Sequence, residues 1–223
     1  MITIALDGPS GAGKSTVCDI VAENLGILHL NTGALYRTIG LYVLQNSINA
    51  KDENAVVESL KDINMDIEYD NGMQKAILNG KDVTKDIYSM EVSDISSLCS
   101  PYIKVREFVV DMQRNIAKKC SVIMEGRDIT SEVLPNAKYK FYLDASSHNR
   151  AIRRINDSKN KTKLSMADYD KIKAEIEERD RRDKEREHSP LILVEDAVYI
   201  NSDDITASDV AQIIIDKVKG SDK

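Results

Sequence analysis

The feature that most constrains this chain is a glycine-rich turn set between an apolar run and an amphipathic one. Ile2–Leu6 is short, apolar and rich in β-branched residues, and Asp7-Gly8 closes it, which predicts a buried strand. From Ser15 onward, Val17, Ile20, Val21 and Leu25 recur at helical spacing, with Gly26 where a helix C-cap belongs. Between the two lies Gly8-Pro9-Ser10-Gly11-Ala12-Gly13-Lys14-Ser15-Thr16, a full match to G-x-x-x-x-G-K-[ST] in the strand–loop–helix setting that motif needs. Its glycines let successive backbone N–H groups turn inward around an anion, and the helix behind adds free N–H groups and a positive dipole end. Lys14 would reach the β- and γ-phosphates, and the Ser15 hydroxyl would be a ligand of magnesium. Gly8–Thr16 therefore predicts a site for a nucleoside triphosphate, ATP with Mg2+.

The rest of the chain continues the alternation. Ile27–Leu30 reads as a second strand, followed by a helical pattern from Thr32 to Leu44. A long helical segment begins near Pro101. Val122–Met124, Tyr139–Leu143 and Val198–Ile200 are further buried strands, and a helix runs from about Ser208 to Val218. Strands alternating with helices imply an α/β fold with a doubly wound parallel sheet. Residues 62–98 break the rhythm: Asp66–Tyr69 and Gln74–Leu78 flank Asp70-Asn71-Gly72, and Asn79-Gly80 follows. These turn signals predict a small antiparallel insert. From Lys171 to His188, 14 of 18 residues are charged with mixed signs at i, i+4 spacing, which fits an ion-paired helix; Ser165-x-x-Asp168 caps its start.

A phosphate loop alone does not choose between GTPase switches, motor ATPases and small-molecule kinases. The chain holds no Asp-x-x-Gly, and its Asn160-Lys161 continues into Thr162 rather than toward the aspartate of a guanine reader, so a switch is disfavoured. A kinase that joins two anionic substrates needs converging cations. Three clusters offer them. Asn31-Thr32-Gly33-Ala34-Leu35-Tyr36-Arg37 lies at the end of the second strand, where doubly wound sheets bind ligands, although Thr32 also suits a helix N-cap. Met124-Glu125-Gly126-Arg127-Asp128 lies at another strand end, and Glu125 is placed to position the water shell of magnesium. On the charged helix, the stripe of Tyr169, Ile172 and Ile176 continues through Arg179, Asp183 and Arg186. A stripe that starts against the core and ends in two arginines and an aspartate points to an anion site.

Bulk properties agree with a small-molecule enzyme. The net charge of −6 argues against nucleic acid as a partner. The three cysteines and three histidines are scattered, which indicates neither a disulfide framework nor a zinc site. No apolar run approaches a membrane span, and no basic leader precedes Lys14, so the expectation is a cytoplasmic protein without a membrane partner. Nothing resembles a coiled-coil seam or demands a second copy, which leaves a monomer as the expectation.

Taken together, Gly-Pro-Ser-Gly-Ala-Gly-Lys, Thr-Gly-Ala-Leu-Tyr-Arg, Gly-Arg-Asp, Phe-Tyr-Leu-Asp-Ala-Ser and Glu-Arg-Asp-x-Arg-Asp resemble the bacterial cytidylate kinases from the first strand to the last. The resemblance implies Mg-dependent transfer of the γ-phosphoryl group of ATP to CMP or dCMP. It implies a P-loop core at 1–61 and 99–223, a nucleoside-monophosphate-binding insert at 62–98 and a short helical lid at 150–166. By resemblance, Ser97, Arg106 and Asp128 read cytosine, and Arg37, Arg127 and Arg186 surround the acceptor phosphate. Arg179 and Asp183 lie near the ribose and the transferring group, with Thr32 also on the CMP side. Arg150, Arg153 and Arg154 fold over ATP from the lid. Lys14, Arg127, Arg179 and Arg186 make up the catalytic set, and Ser15 and Glu125 the metal site. A second reading is another small-substrate P-loop kinase, for a different nucleoside monophosphate or for shikimate. The chain departs from the family at Glu125, where aspartate is common, at Ile129-Thr130-Ser131 in place of Ile-Gly-Thr or Met-Gly-Thr, and at Tyr88, which replaces an arginine.

Overall fold

The computed structural model describes residues 1–70, 72–156 and 165–220. It divides into two compact units, Met1–Leu30 with Ala117–Lys223, and Asn31–Ile116. The first unit opens with strand β1 (Thr3–Asp7), buried from Ile4 to Asp7. Helix α1 (Lys14–Leu25) follows; it begins at Gly13 and ends at Gly26, both in left-handed geometry at φ 96° and 62°. Strand β2 (Leu28–Asn31) completes this portion.

The second unit begins with helix α2 (Thr32–Gln45), whose N-cap is Asn31: its side chain accepts from Ala34 N. The Thr32 side chain is thus not the cap. Asn31 holds the extended backbone a cap needs, and Thr32 is the first helical residue. A short helix α3 (Glu53–Ser59) is capped by Asp52. Strands β3 (Met65–Asp70), β4 (Met73–Leu78) and β5 (Lys81–Asp82) then form the antiparallel three-stranded sheet expected from the turn signals. Asn79 and Gly80 both take positive φ, 51° and 79°, which matches a tight hairpin turn. The other expected turn, Asp70-Asn71-Gly72, includes Asn71, which lies outside the described residues. Helices α4 (Met90–Cys99) and α5 (Ile103–Ala117) complete the unit.

One apolar cluster holds this unit together: Leu35, Ile39 and Val43 of α2 meet Val56, Ala76, Leu78, Ile87, Val92, Val105 and Val109. That shared cluster makes the unit wider than the expected insert at 62–98, which falls within it. Gly40 lets α2 and α4 touch: a Cβ there would stand 3.0 Å from Val92 O and from Ser96 N.

Back in the first unit come strands β6 (Val122–Gly126) and β7 (Tyr139–Asp144) and helix α6 (Ser147–Asn156). Helix α7 (Tyr169–Glu185) follows a turn in which Ser165 and Asp168 form a capping box, as the sequence predicts. Strand β8 (Val198–Asn201) and helix α8 (Ala207–Gly220) close the chain. The sheet order is β2-β6-β1-β7-β8, and β1 pairs in parallel with β6 and β7 as does β7 with β8. Parallel strands covered on both faces read as near-continuous apolar runs, as Ile4-Ala5-Leu6 and Phe141-Tyr142-Leu143 do; Lys140 breaks the run in β7 and pairs with Asp196 at 2.7 Å. Ile4, Leu6, Val17, Val21, Phe141, Leu143, Val210 and Ile214 form the core. In this register Asp7 lies beside Gly126 and Tyr142, so the loops leaving β1, β6 and β7 emerge at one sheet edge, where such folds bind ligands.

Candidate active site

The glycine-rich loop is shaped by what its first residue meets. A Cβ on Gly8 would stand 1.9 Å from Leu143 O, and its φ is 150°. Only glycine lets the loop pass so close to β7. The ammonium of Lys14 donates to Gly8 O and Pro9 O, each at 2.8 Å, folding the side chain back across the loop. Burial, with the charge of Arg127 next, lowers the Lys14 pKa to about 7. The nearby carboxylates of Glu125, Asp7 and Asp183 act in the opposite direction and do not offset that burial.

Asp7 sits fully buried immediately before the loop. Its carboxylate accepts from Ile129 N (2.9 Å), Thr130 N (2.7 Å) and Thr130 Oγ1 (2.7 Å), tying β1 to the wide turn after β6. Burial pushes this carboxyl upward, against those three bonds and the charge of Lys14. Thr130, a departure from the family pattern, thus has a defined partner.

Glu125 is the last but one residue of β6, and Ser15 at the start of α1 hydrogen-bonds to it. His29 Nε2 lies 3.2 Å from Glu125 Oε1, and His29 Nδ1 lies 2.7 Å from Asp19 Oδ1. Burial opposes ionisation of Glu125, but His29, Lys14 and Ser15 outweigh it and hold the carboxyl below its ordinary value. For His29, too, burial disfavours the charge, yet Asp19, Cys18 and Glu125 raise the imidazole to about 12. Mg2+ takes few protein ligands and keeps waters and phosphate oxygens. A serine hydroxyl and one carboxylate in mutual contact fit that demand. Among the described residues no group of three or more His, Cys, Asp or Glu forms a ready metal cage.

Beyond β6, Arg127 Nε donates to Asp183 Oδ2 at 2.9 Å, and its Nη1 donates to Gly126 O at 3.2 Å. Arg186 Nη2 stands 3.6 Å from Asp128 Oδ1, an ion pair rather than a hydrogen bond. Burial works against the Asp183 charge, but Arg127, Arg179 and Arg186 together depress its pKa. The stripe of α7 is real: Ile172 and Ile176 are buried against α6 neighbours, and Asp183 is buried one turn after Arg179. Arg186 lies just past the helix, at its C-cap in extended conformation, with Nε donating to Ser189 O at 2.6 Å. The first unit therefore gathers Lys14, Ser15 and Glu125 in one cluster, and Arg127, Asp128, Arg179, Asp183 and Arg186 in another.

The second unit places the remaining expected residues on three of its helices. Arg37 on α2 has its Nε 3.4 Å from Ser93 Oγ, and its guanidinium lies over the Tyr88 ring at 5.5 Å. Arg106 on α5 is buried, lies over the Tyr36 ring at 5.7 Å and donates to Ser100 O at 3.4 Å. Ser97 is half-buried on α4, and Thr32 is buried in the first turn of α2.

Arg150 and Arg153, expected on the ATP side, contact the phosphate loop itself. Arg150 is buried, pairs through both terminal nitrogens with Asp180, and donates to Ala145 O (2.9 Å) and Ser10 O (3.0 Å). Arg153 donates to Ala12 O (3.1 Å) and Ser202 Oγ (3.0 Å). Both hold the phosphate loop by its carbonyls from α6. Turning those carbonyls outward leaves the opposite N–H groups free to face an anion. Arg154 is half-buried in the last turn of α6. Of the expected lid at 150–166, residues 157–164 lie outside the described residues.

Several side chains with defined partners escape sequence reasoning: Asp7, His29, Asp180 and Gln74. The amide of Gln74 accepts from Asn31 N at 2.7 Å and donates to Asn31 O at 3.2 Å, clamping the entry to α2. An acid directly before the loop and a histidine inside an apolar strand were the available signals for Asp7 and His29. Asp180 and Gln74 carried none, because their partners are remote in sequence.

A family model described as cytidylate kinase matches residues 4–220. A cytidylate kinase of Caldicellulosiruptor bescii is 43% identical over 215 residues, covering 96% of this chain and 94% of that protein. One from Pediococcus pentosaceus is 40% identical and covers 99% and 96% respectively. Among solved structures, shikimate kinase from Bacteroides thetaiotaomicron matches with a TM-score of 0.50 at 12% identity, covering 98% of each chain, which is a likeness of fold alone.

Proposed function

The chain belongs to the cytidylate kinase family, and on that premise we infer that it transfers the γ-phosphoryl group of ATP to CMP or dCMP, releasing ADP and CDP or dCDP. The carrying observation is that β6 delivers Glu125, Arg127 and Asp128 to the edge where β1 delivers the phosphate loop. Donor-binding and charge-stabilising groups thus share one rigid sheet edge.

Within the first unit, Gly8–Thr16 cradles the triphosphate through backbone N–H groups, with Lys14 on the β- and γ-phosphates. Arg150 and Arg153 support that cradle from behind, and Arg154 stands close to the nucleotide. Asp128 reads the base: its carboxylate accepts from the exocyclic amine of cytosine and repels the carbonyl oxygen of uracil. Arg127 and Arg186 face the acceptor phosphate, and Arg179 and Asp183 face the transferring group and the ribose. Within the second unit, Ser97 and Arg106 contact the base, Arg37 the acceptor phosphate, and Thr32 the same nucleotide. Residues 62–98 act as the monophosphate-binding insert.

The acceptor phosphate is already anionic, so no side chain has to remove a proton. Catalysis is positioning and neutralisation: Lys14, Arg127 and Arg179 stabilise charge spread over the transferred group, where they are fixed before the reaction begins. Asp183 holds Arg127 in place and offsets its charge between turnovers. Bound Mg2+, held by Ser15 and Glu125, would neutralise phosphate oxygens and act as a template. We place the enzyme in the cytoplasm as a monomer; no described helix is long and apolar enough to cross a membrane.

The test is a panel of CMP, dCMP, UMP, AMP, GMP and shikimate, each with ATP and Mg2+. Phosphorylation is expected with the cytidine nucleotides. ATP consumption with no acceptor preference, or preference for shikimate, would refute the assignment.

A further inference from the structure

Glu125 has a side chain with three rotatable bonds, and a carboxylate that serves a metal must not wander. Two partners restrain it. Ser15 hydrogen-bonds to it from α1, and His29 Nε2 approaches its Oε1 at 3.2 Å from β2, the strand next to β6. The ring of His29 is itself held by Asp19 Oδ1, 2.7 Å from Nδ1. Each ring nitrogen of His29 thus meets a carboxylate oxygen, so the ring is held from both sides. His29 and Glu125 side chains are 9% and 6% exposed, while Asp19 is 64% exposed. The row therefore runs from solvent, through a buried imidazole, to a buried carboxyl group at the phosphate loop.

We propose that His29, oriented by Asp19, is a positioning residue that locks the Glu125 carboxylate in the rotamer that receives the magnesium–nucleotide complex. It rests on the assignment of Glu125 to magnesium made above. The longer glutamate suits the arrangement, since its carboxylate must meet Ser15 on α1 and His29 on β2 at once. A histidine that merely filled the core would affect stability and nothing else. Partners of this kind, one shell away from a metal ligand, typically change metal affinity by about 10- to 100-fold when removed.

The readout is binding of a fluorescent ADP analogue titrated with Mg2+ at fixed nucleotide, and the same binding in EDTA. His29→Gln is expected to raise the half-saturating Mg2+ about tenfold, and Asp19→Ala to raise it less, with binding in EDTA unchanged in both. Asp19 is exposed, so Asp19→Ala decides the matter should His29→Gln fail to fold. Glu125→Gln serves as the control for the underlying assignment. If it shifts the Mg2+ midpoint while both other variants stay within about twofold of the parent, the relay is overturned and Glu125 keeps its role. If Glu125→Gln itself leaves the midpoint unchanged, the assignment of Glu125 fails and the proposal falls with it.

Discussion

Replacing Arg150 by alanine tests how the phosphate loop is held. The side chain is 5% exposed and that of Asp180 13%. The guanidinium meets both Asp180 oxygens and the carbonyls of Ala145 and Ser10. Arg150→Ala leaves the Asp180 carboxylate buried without this partner and strips a donor from each carbonyl. Breaking a buried pair from one side costs about 3–5 kcal/mol. At about 2–4 °C per kcal/mol for a chain of this size, the midpoint of thermal unfolding should fall by roughly 6–20 °C. Replacing both partners together, as Arg150→Met with Asp180→Leu, should recover much of the loss, since apolar packing often equals a buried ion pair. Scanning calorimetry measures both variants, and steady-state kinetics measures KM for ATP in each. A clasp behind the loop predicts lost stability together with a raised KM. A cation that only folds over the nucleotide predicts a raised KM at unchanged stability. Arg150→Ala unfolding within about 2 °C of the parent would refute the clasp.

Arg179→Ala is expected to cut turnover at least about 100-fold with the fold intact, and Arg127→Ala to do the same while also lowering the unfolding midpoint through Asp183; near-normal turnover in both would remove the arginines from catalysis. Lys14 is protonated to about pH 7 in the folded protein and to 10.5 as an ordinary lysine. Between those values the unfolded chain binds more protons, so ligand-free stability should rise with pH across that window and be flat for this group below it. Phosphates restore the ammonium, so ADP binding at pH 8 should take up protons; calorimetry in two buffers of different ionisation heat detects this, and zero uptake would contradict the lowered value. Gln74→Ala removes both bonds to the Asn31 backbone and should destabilise the protein by about 1–3 kcal/mol, read by urea denaturation, with KM for CMP rising more than KM for ATP.

The parts of this protein that its sequence makes legible are those whose cause is local. The strand–loop–helix around Gly8–Thr16, the caps at Gly26 and Ser165, and the Asn79-Gly80 turn each follow from backbone preferences within a few residues. The parallel sheet follows from apolar runs too short for helices and too continuous for a half-exposed strand. Helices α3 and α4 were hidden because turn signals dominate their neighbourhood. Their stability comes from a cluster shared with α2 and α5, which no short window displays.

Sequence motifs alone determined the chemistry: a triphosphate loop, arginines and acids at strand ends, and membership of a kinase family. Tertiary structure decided which charges face which. It set Arg150 and Arg153 against carbonyls of the loop, paired Arg127 with Asp183 and Arg186 with Asp128, and set His29 between Asp19 and Glu125. The reason is physical. Backbone propensity acts within a turn or two of chain, whereas a buried charge is satisfied by whatever partner the sheet register brings within about 3–4 Å, and that partner can lie 122 residues away, as Ile129 does from Asp7.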